Sequence, residues 1–291
     1  MGPERGGVAA QVASLLDELR GQGPVRAVEL RPPQAHLPPE ESLDAWIDLH
    51  HAVKGLLRDG RHILFTDDAV GSREEESLQH LASNLGPGAP LARIVPFLTC
   101  KHTLEYCLLF AQRAASRGIG AMTVTGGDKH VGPPRCLPRS RDLRERIRER
   151  VPDLPLGAWV NPFRDAEQQV GLLMEEGHEA DYFLTQVVSH HDMEPVDRFL
   201  EEAERRGLET PGLFGVFYYR SPNPKTLERL ADFIPVPAEE LVREFEEGAD
   251  AEEICARTVR ALEERGVDRV YVANLPLPGA ARVMREVEGR L

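Results

Sequence analysis

The 291-residue sequence has few cysteines, and their spacing gives little support to a metal centre or a disulfide framework. Cys100, Cys107, Cys136 and Cys255 are widely spread, and none forms a C-x-x-C pair. A zinc site formed by Cys100, His102 and Cys107 is an alternative, but the second ligand pair typical of such sites is missing.

Basic residues and long apolar runs are also scarce. Thirty-five Lys and Arg residues against 48 Asp and Glu residues give a net charge of −13, which argues against a nucleic-acid or anionic-membrane partner. No apolar run approaches the roughly 20 residues of a membrane helix. The N-terminus lacks a basic region followed by an apolar core. The expectation is therefore a cytoplasmic protein.

Several motifs that mark enzyme classes are missing from the sequence. No G-x-G-x-x-G follows the first predicted strand, and there is no serine nucleophile elbow and no phosphate-binding glycine motif. His130 and the His190-His191 pair show no spacing with carboxylates that suggests a metal site. The sequence accordingly predicts no metal.

One pattern recurs from residue 25 onward: an apolar, β-branched strand, a loop and an amphipathic helix. The eight strand candidates are residues 25–31, 62–67, 92–99, 121–127, 156–162, 181–188, 212–219 and 269–275. Five predicted helices end at a glycine suited to a left-handed cap, namely Gly60, Gly118, Gly177, Gly207 and Gly266. Eight such units predict a (β/α)8 TIM barrel over residues 25–291, forming a single domain, with an open doubly wound sheet as the main alternative.

The first 24 residues are predicted to form an extra helical element. Val8, Val12, Leu15, Leu16 and Leu19 recur at helical intervals. Because this helix precedes the first strand–helix unit, we expect it to pack as an addition to the barrel or to plug its bottom.

Polar residues gather at the ends of the predicted strands. In a barrel of this kind the loops at the carboxyl ends of the strands surround one cleft, where the chemistry takes place. These side chains would suit a ligand that is a polar heterocycle, bound by Asp and Gln residues, with one buried acidic residue beside it. The set comprises Glu29, Thr66, Asp67, Asp68, Thr99, Asp128, Lys129, His130, Asn161, Thr185, Gln186, Tyr218, Tyr219, Arg220 and Asn274.

Glu29 stands out because it lies inside an apolar strand, where an unpaired charge is costly. It either pairs with Arg31 or Arg61, or it is an acid at the mouth of the barrel. Asp128 and Gln186 each have an ordinary alternative as well: Asp128 as a cap of the next helix, and Gln186 as part of a strand-end cap.

Six segments together resemble the methylenetetrahydrofolate reductase family over nearly the whole chain. Residues 29–33 (ELRPP) are similar to the family's strand-one signature, residues 96–100 (PFLTC) to its HLTC strand, and Gly127-Asp128 to the end of its RGD turn. Residues 180–186 (ADYFLTQ) resemble its GADFIITQ strand, and residues 214–216 and 231–237 follow in the family's order.

This resemblance implies a barrel enzyme that reduces methylenetetrahydrofolate to methyltetrahydrofolate, with FAD relaying hydride from NADH or NADPH. Glu29 would be the general acid that helps to open the five-membered ring, and burial favours the protonated form of a carboxyl group. Asp128, Gln186 and Thr99 would bind the folate. Thr66, Asp128 and Trp159 would lie at the flavin.

The departures from the family fall mostly on the flavin side. Gly126 replaces an arginine that contacts the flavin phosphate, and Glu175 replaces a lysine, so positive charge is lost. The other departures are Phe97, Trp159, Phe163 and Leu275-Pro276. Two hypotheses remain open: a reductase that takes hydride directly from NAD(P)H or uses a loosely held flavin, and a folate-binding or regulatory relative without redox activity. In either case an oligomer or a partner subunit is compatible with the sequence.

Overall fold

A computed structural model describes residues 12–34, 36–67, 84–86, 88–128, 130, 132–175 and 180–291. Its strands are β1 (Val25–Leu30), β2 (His62–Phe65), β3 (Ile94–Thr99), β4 (Met122–Thr125), β5 (Leu156–Val160), β6 (Tyr182–Val188), β7 (Gly212–Phe217) and β8 (Arg269–Ala273). Its helices are α1 (Leu15–Arg20), α2 (Pro39–Arg58), α3 (Leu104–Ser116), α4 (Ser140–Arg150), α5 (Ala166–Met174), α6 (Glu194–Arg206), α7 (Pro224–Ala231), α8 (Ala238–Glu246), α9 (Ala251–Glu263) and α10 (Ala280–Glu288).

The eight strands form a closed parallel barrel in the order β1 to β8, with β8 pairing back onto β1. The predicted (β/α)8 barrel is confirmed, and the open doubly wound sheet is wrong. Every strand falls within its predicted range. The predicted glycine caps also have positive φ where the structure describes them, at Gly60, Gly118, Gly207 and Gly266, while Gly177 lies outside the described residues.

Successive side chains of each strand face alternately into the barrel and outward to the helices. The outward side chains form the larger core; Val28, Val124 and Val272 there pack with helix residues such as Leu56 and Val259. Both faces of the sheet are therefore covered, which explains why the strands are almost continuously apolar.

Tyrosines fill much of the barrel interior, and glycines on neighbouring strands make room for them. Tyr182 and Tyr271 are fully buried there. A methyl group added at Gly157 would lie 2.5 Å from the ring of Tyr182, and one added at Gly215 would lie 2.5 Å from the Tyr271 hydroxyl. The Tyr182 hydroxyl is 2.9 Å from the Thr123 hydroxyl, so this part of the core is also held by hydrogen bonds.

Helix α1 closes the end of the barrel at which the strands begin. Leu15, Leu16 and Leu19 are buried in the same cluster as inward-facing residues of β1 and β8. Arg269 of β8 also donates a hydrogen bond to the carbonyl of Gly21, at 2.8 Å. In the structure this helix therefore covers the bottom of the barrel. Val12 precedes the helix and is exposed, and Val8 lies outside the described residues.

A cluster of charged groups fastens α1 to the neighbouring strands. One carboxylate oxygen of Glu18 lies 2.9 Å from Nε2 of His62, and the other lies 2.8 Å from Arg93. His62 is completely buried, and burial is the main cause that lowers the pKa of its imidazole, against the raising effect of Glu18. The neutral form of His62 is therefore favoured at the bottom of the barrel.

The helices in the described ranges lack the combination of length and apolar character needed to cross a bilayer.

Candidate functional site

Glu29 lies near the carboxyl end of β1, on the face of the strand that points into the barrel. Val25 and Ala27, four and two residues earlier, belong to the interior core, and strand alternation gives Glu29 the same orientation. Burial first, and the Glu29 charge second, raise the pKa of the Tyr271 phenol well above its ordinary value. Arg61 instead binds Glu288 at the periphery, so pairing of Glu29 with Arg61 is wrong.

Two threonine hydroxyls near the same end of the barrel have no hydrogen-bond partner among the described residues. Thr99 and Thr125 are paired across β3 and β4, and the hydroxyl oxygen of each is buried and unsatisfied. Both residues follow inward-facing residues at a spacing of two, Phe97 and Thr123. Buried hydroxyls normally have partners, so this end of the barrel has unused hydrogen-bonding capacity for a polar ligand.

Two aromatic rings meet in the barrel near these hydroxyls. Phe97 and Trp159 have ring centroids 6.3 Å apart and an interplanar angle of 70°, an edge-to-face arrangement that favours aromatic pairs. Both side chains pack on the interior core. Phe97 and Trp159, both departures from the resemblance described above, are thus in contact. They form an apolar wall at the polar end of the barrel. Thr66 follows β2 and is half-buried.

The loop after β4 brings a cation to Gly126, where the resemblance noted above implies an arginine. A methyl group added at Gly126 would lie 2.8 Å from the guanidinium carbon of Arg135. Arg135 donates to the carbonyl of Gly127, whose φ of +67° suits glycine. The expected loss of positive charge at position 126 is therefore offset by an arginine nine positions later in the chain. No motif or spacing in the sequence indicated this placement.

Lys101 lies against the same turn. Lys101 is only 5% exposed, and its ammonium group donates to the carbonyl of Pro133 at 3.0 Å. Asp128 is exposed, and its carboxylate accepts the backbone N–H of His130 at 2.6 Å. Asp128 thus stabilises its own loop. The alternative given above, a cap of the next helix, is not what the described residues show. Lys129 lies outside the described residues.

Gln186 lies in an irregular part of β6. The register between β6 and β7 shifts between Leu184 and Val187, and such bulges re-aim side chains. The hydroxyl of Thr185 compensates by accepting the backbone N–H of Gly215 at 3.0 Å. The Gln186 amide nitrogen donates to the carbonyl of Phe233 at 3.3 Å, and its oxygen accepts the N–H of Val187 at 3.0 Å.

The polar residues after β7 and β8 mainly hold the loops together. Tyr218 donates its hydroxyl to Glu252 at 2.7 Å. Arg220 donates to the carbonyls of Asn274 and Leu275, at 2.9 and 2.8 Å. Asn274 has a φ of +68°, and its amide donates to the carbonyl of Tyr218 at 3.0 Å. These contacts support the rim of the barrel and give it a fixed shape.

Asp67 joins the ends of β2 and β3. One of its oxygens accepts the N–H of Thr99 at 2.6 Å, and the other is 2.8 Å from Nε2 of His102. The His102 ring packs at a tilt against Tyr106, with centroids 4.6 Å apart and an interplanar angle of 34°. His102 is therefore engaged with a carboxylate, and no cysteine–histidine zinc set is found in the part of the chain that the structure describes. Asp68 lies outside that part.

A second histidine–carboxylate cluster was not visible from sequence spacing. Glu244 of α8 lies beside His190 and His191, although 54 residues separate it from His190. Burial first, and the neighbouring His190 second, lower the pKa of His191. Burial alone would raise the pKa of the Glu244 carboxyl group. Hydrogen bonds with Arg257 and His190 outweigh this effect, so the pKa is lowered. A charged carboxylate thus faces a neutral imidazole.

The fold is a (β/α)8 barrel, and the candidate site at the carboxyl ends of its strands combines an inward acid, unsatisfied hydroxyls and an aromatic wall. A cavity of about 750 Å³ lies at the opposite end, beside Leu19, Gly212 and Arg269. That end carries the plug helix, and in such barrels chemistry occurs at the other end.

Comparison with known proteins shows the fold and leaves the family open. No protein-family model and no curated protein matches the sequence. Among solved structures, a Clostridium thermocellum protein that binds two copies of 5-methyl-5,6,7,8-tetrahydrofolic acid matches with a TM-score of 0.66 and 17% identity, covering 92% of this chain and 96% of that one. The spore cortex-lytic enzyme SleL of Bacillus cereus matches with a TM-score of 0.49 and 11% identity, over 91% of this chain and 74% of that one.

Proposed function

We propose that this protein binds a reduced folate and uses NADH or NADPH to reduce 5,10-methylenetetrahydrofolate to 5-methyltetrahydrofolate. The observation that carries the proposal is the inward carboxyl group of Glu29 at the end of the barrel that also holds the unsatisfied hydroxyls of Thr99 and Thr125. The Clostridium thermocellum barrel adds support, because its ligand is the product of this reaction.

In the proposed reaction Glu29 acts as the general acid. It gives its proton to the amine nitrogen that leaves when one carbon–nitrogen bond of the five-membered ring breaks. The bonding electron pair stays on that nitrogen, and the methylene carbon becomes an electrophilic iminium. Hydride from the nicotinamide then adds to this carbon with its two electrons, giving the methyl group and NAD(P)⁺.

The proposed folate site combines hydrogen-bonding groups from several strands. Thr99 contributes a buried hydroxyl with free capacity. Gln186 keeps one amide hydrogen and one oxygen lone pair beyond its contacts with Phe233 and Val187. Asp128 is exposed at the neighbouring loop, where its carboxylate can accept a hydrogen bond from a pterin. Each group would orient the ring so that its reactive carbon faces the nicotinamide.

The side chains present do not fit a tightly held FAD. Arg135 and Lys101 already donate to backbone carbonyls of their own loop, and Glu175 is paired with Arg141. Phe97 and Trp159 meet inside the barrel. We therefore assign no step to a flavin and propose direct transfer from NAD(P)H.

The test is a comparison of wild type with Glu29→Gln and Glu209→Gln. Glu209 is exposed and lines the cavity at the opposite end, so it is the matched control. We expect wild type and the control to oxidise NADH or NADPH in the presence of methylenetetrahydrofolate, without added FAD. Glu29→Gln should lose about 100-fold or more of this rate, in line with general-acid contributions, while 5-methyltetrahydrofolate binding changes little.

The outcomes separate the two candidate functions. Equal turnover by wild type and Glu29→Gln would refute the general-acid role. Folate binding without turnover, with or without FAD, would favour the second candidate, a folate-binding or regulatory protein. Phe97 and Trp159, which replace family residues and contact each other inside the barrel, favour this candidate. Failure of wild type to bind either folate would refute both.

A further inference from the structure

His190, His191 and Glu244 lie together at the loop after β6 and on α8. Nε2 of His190 is 3.1 Å from Oε1 of Glu244, and Nε2 of His191 is 3.1 Å from Oε2 of the same carboxylate. One donor atom from each of the three residues lies within 4.8 Å of the others. This cluster plays no part in the proposed folate chemistry.

Each histidine is held at its other ring nitrogen by a hydroxyl group. Nδ1 of His190 is 2.9 Å from the hydroxyl of Thr258, and Nδ1 of His191 is 2.8 Å from that of Ser189. Such outer contacts fix the orientation of a ring and direct its Nε2 lone pair at a metal ion. Here both Nε2 atoms are directed at the carboxylate.

The facing atoms of His191 and Glu244 are not joined by an ordinary hydrogen bond. Both atoms, Nε2 and Oε2, are buried and have no hydrogen-bond partner among the described residues, although they are 3.1 Å apart. The His191 side chain is only 10% exposed. Leaving two such groups unsatisfied is costly, and an ion bound to both would remove that cost.

The separations also fit coordination of one ion. Two ligand atoms that are each about 2.1 Å from a zinc ion at a tetrahedral angle lie about 3.4 Å apart, close to the observed 3.1 Å between Nε2 of His191 and Oε2 of Glu244. Oε1 of Glu244 is shared with Arg257, which leaves Oε2 as the carboxylate ligand. The side chains of His190 and Glu244 retain 17% and 13% exposure, so the cluster is accessible from solvent.

We propose that His190, His191 and Glu244 bind one divalent transition-metal ion, with zinc favoured by two imidazoles and one carboxylate. Three protein ligands leave a fourth position for water or another small ligand. The ion joins the loop after β6 to α8. The loop residue Ser189 also lines a cavity of about 250 Å³ with Phe163 and residues 235–237.

The experiment titrates the full chain, free of any histidine tag and first treated with a chelator, with Zn²⁺ in a calorimeter and with Co²⁺ in a spectrophotometer. We expect one equivalent to bind wild type. His191→Ala and Glu244→Gln should each weaken Zn²⁺ binding by at least about 100-fold, because loss of an outer partner alone costs about 10–100-fold. Glu244→Gln preserves the size and polarity of the side chain, so we expect the fold to be retained, which an unchanged circular-dichroism spectrum would verify.

The chain supplies its own control in the adjacent pair His50 and His51 on α2, whose ring centroids are 5.9 Å apart. No carboxylate completes a ligand group with this pair in the described ranges. His51→Ala should bind Zn²⁺ like wild type. The proposal is wrong if wild type binds no tighter than Glu244→Gln, or if His51→Ala loses as much affinity as His191→Ala. The titration uses no folate, so its result is independent of the reductase proposal.

Discussion

Gly215→Ala should destabilise the protein, although the same change in a strand ordinarily stabilises it. Glycine in a strand is about 0.5–1 kcal/mol less favourable than alanine. Here, however, the new methyl group would lie 2.5 Å from the hydroxyl oxygen and 2.6 Å from the adjoining ring carbon of Tyr271. Tyr271 is fully buried, so its ring cannot move aside without displacing other core side chains.

The magnitude follows from two costs. Overpacking a core typically costs about 1–3 kcal/mol, and displacing the 2.6 Å hydrogen bond from Tyr271 to the Thr185 carbonyl adds about 1 kcal/mol. The free energy of unfolding should therefore fall by about 2–4 kcal/mol. With an unfolding entropy of about 2.1 cal/mol/K per residue, a 291-residue chain would melt about 3–7 °C lower.

The assay is a double-mutant cycle measured by denaturant unfolding. In a Tyr271→Leu background the ring is gone, and Gly215→Ala should become neutral or stabilising, which gives a coupling of about 2 kcal/mol or more. Gly23→Ala is the control, because a methyl group there would meet nothing within 4 Å. If Gly215→Ala stabilises wild type, or costs the same in both backgrounds, the described packing of the barrel interior is wrong.

Three further predictions concern the plug and the rim. Leu19→Ala should lower the free energy of unfolding, measured by denaturant unfolding, by about 2–5 kcal/mol. A decrease below about 0.5 kcal/mol, as is usual for an exposed residue, would contradict the burial of Leu19 beneath the barrel. Asp67→Asn should cost about 1.5–3 kcal/mol by weakening the bonds to Thr99 and His102, and an unchanged melting temperature would argue against that junction. Because the pKa of His62 is lowered in the folded state, the unfolded chain binds more protons below its ordinary value of about 6.5. Stability should therefore fall as the pH is lowered through that value, and His62→Gln should reduce the slope of melting temperature against pH.

The architecture was predictable because its signals are local. Each strand is a short apolar run, and glycines such as Gly207 mark the ends of helices, so eight repeats could be counted directly. These features depend on residues that are neighbours in sequence, where the periods of strands and helices leave a visible pattern. The orientation of Glu29 stayed open from the sequence alone, between pairing with Arg31 or Arg61 and a place at the mouth of the barrel.

The rest of the site depends on contacts between distant segments. The guanidinium of Arg135 takes the space above Gly126 through the path of a loop, and no period in the sequence records that path. Glu244 reaches His190 from 54 residues away. The shift of register at Gln186 arises from the pairing of β6 with β7, which a single strand does not reveal.

The position of helix α1 beneath the barrel has a consequence for how the chain folds during translation. Leu15 and Leu19 precede every strand of the barrel in the sequence, yet the surface that receives them includes Tyr271 of β8. During translation, which proceeds at about 5–20 residues per second, these leucines have to wait until the eighth strand has emerged. Helix α1 is thus made before the barrel and takes its place after it, and a nascent chain halted before the eighth strand would present its leucines to chaperones.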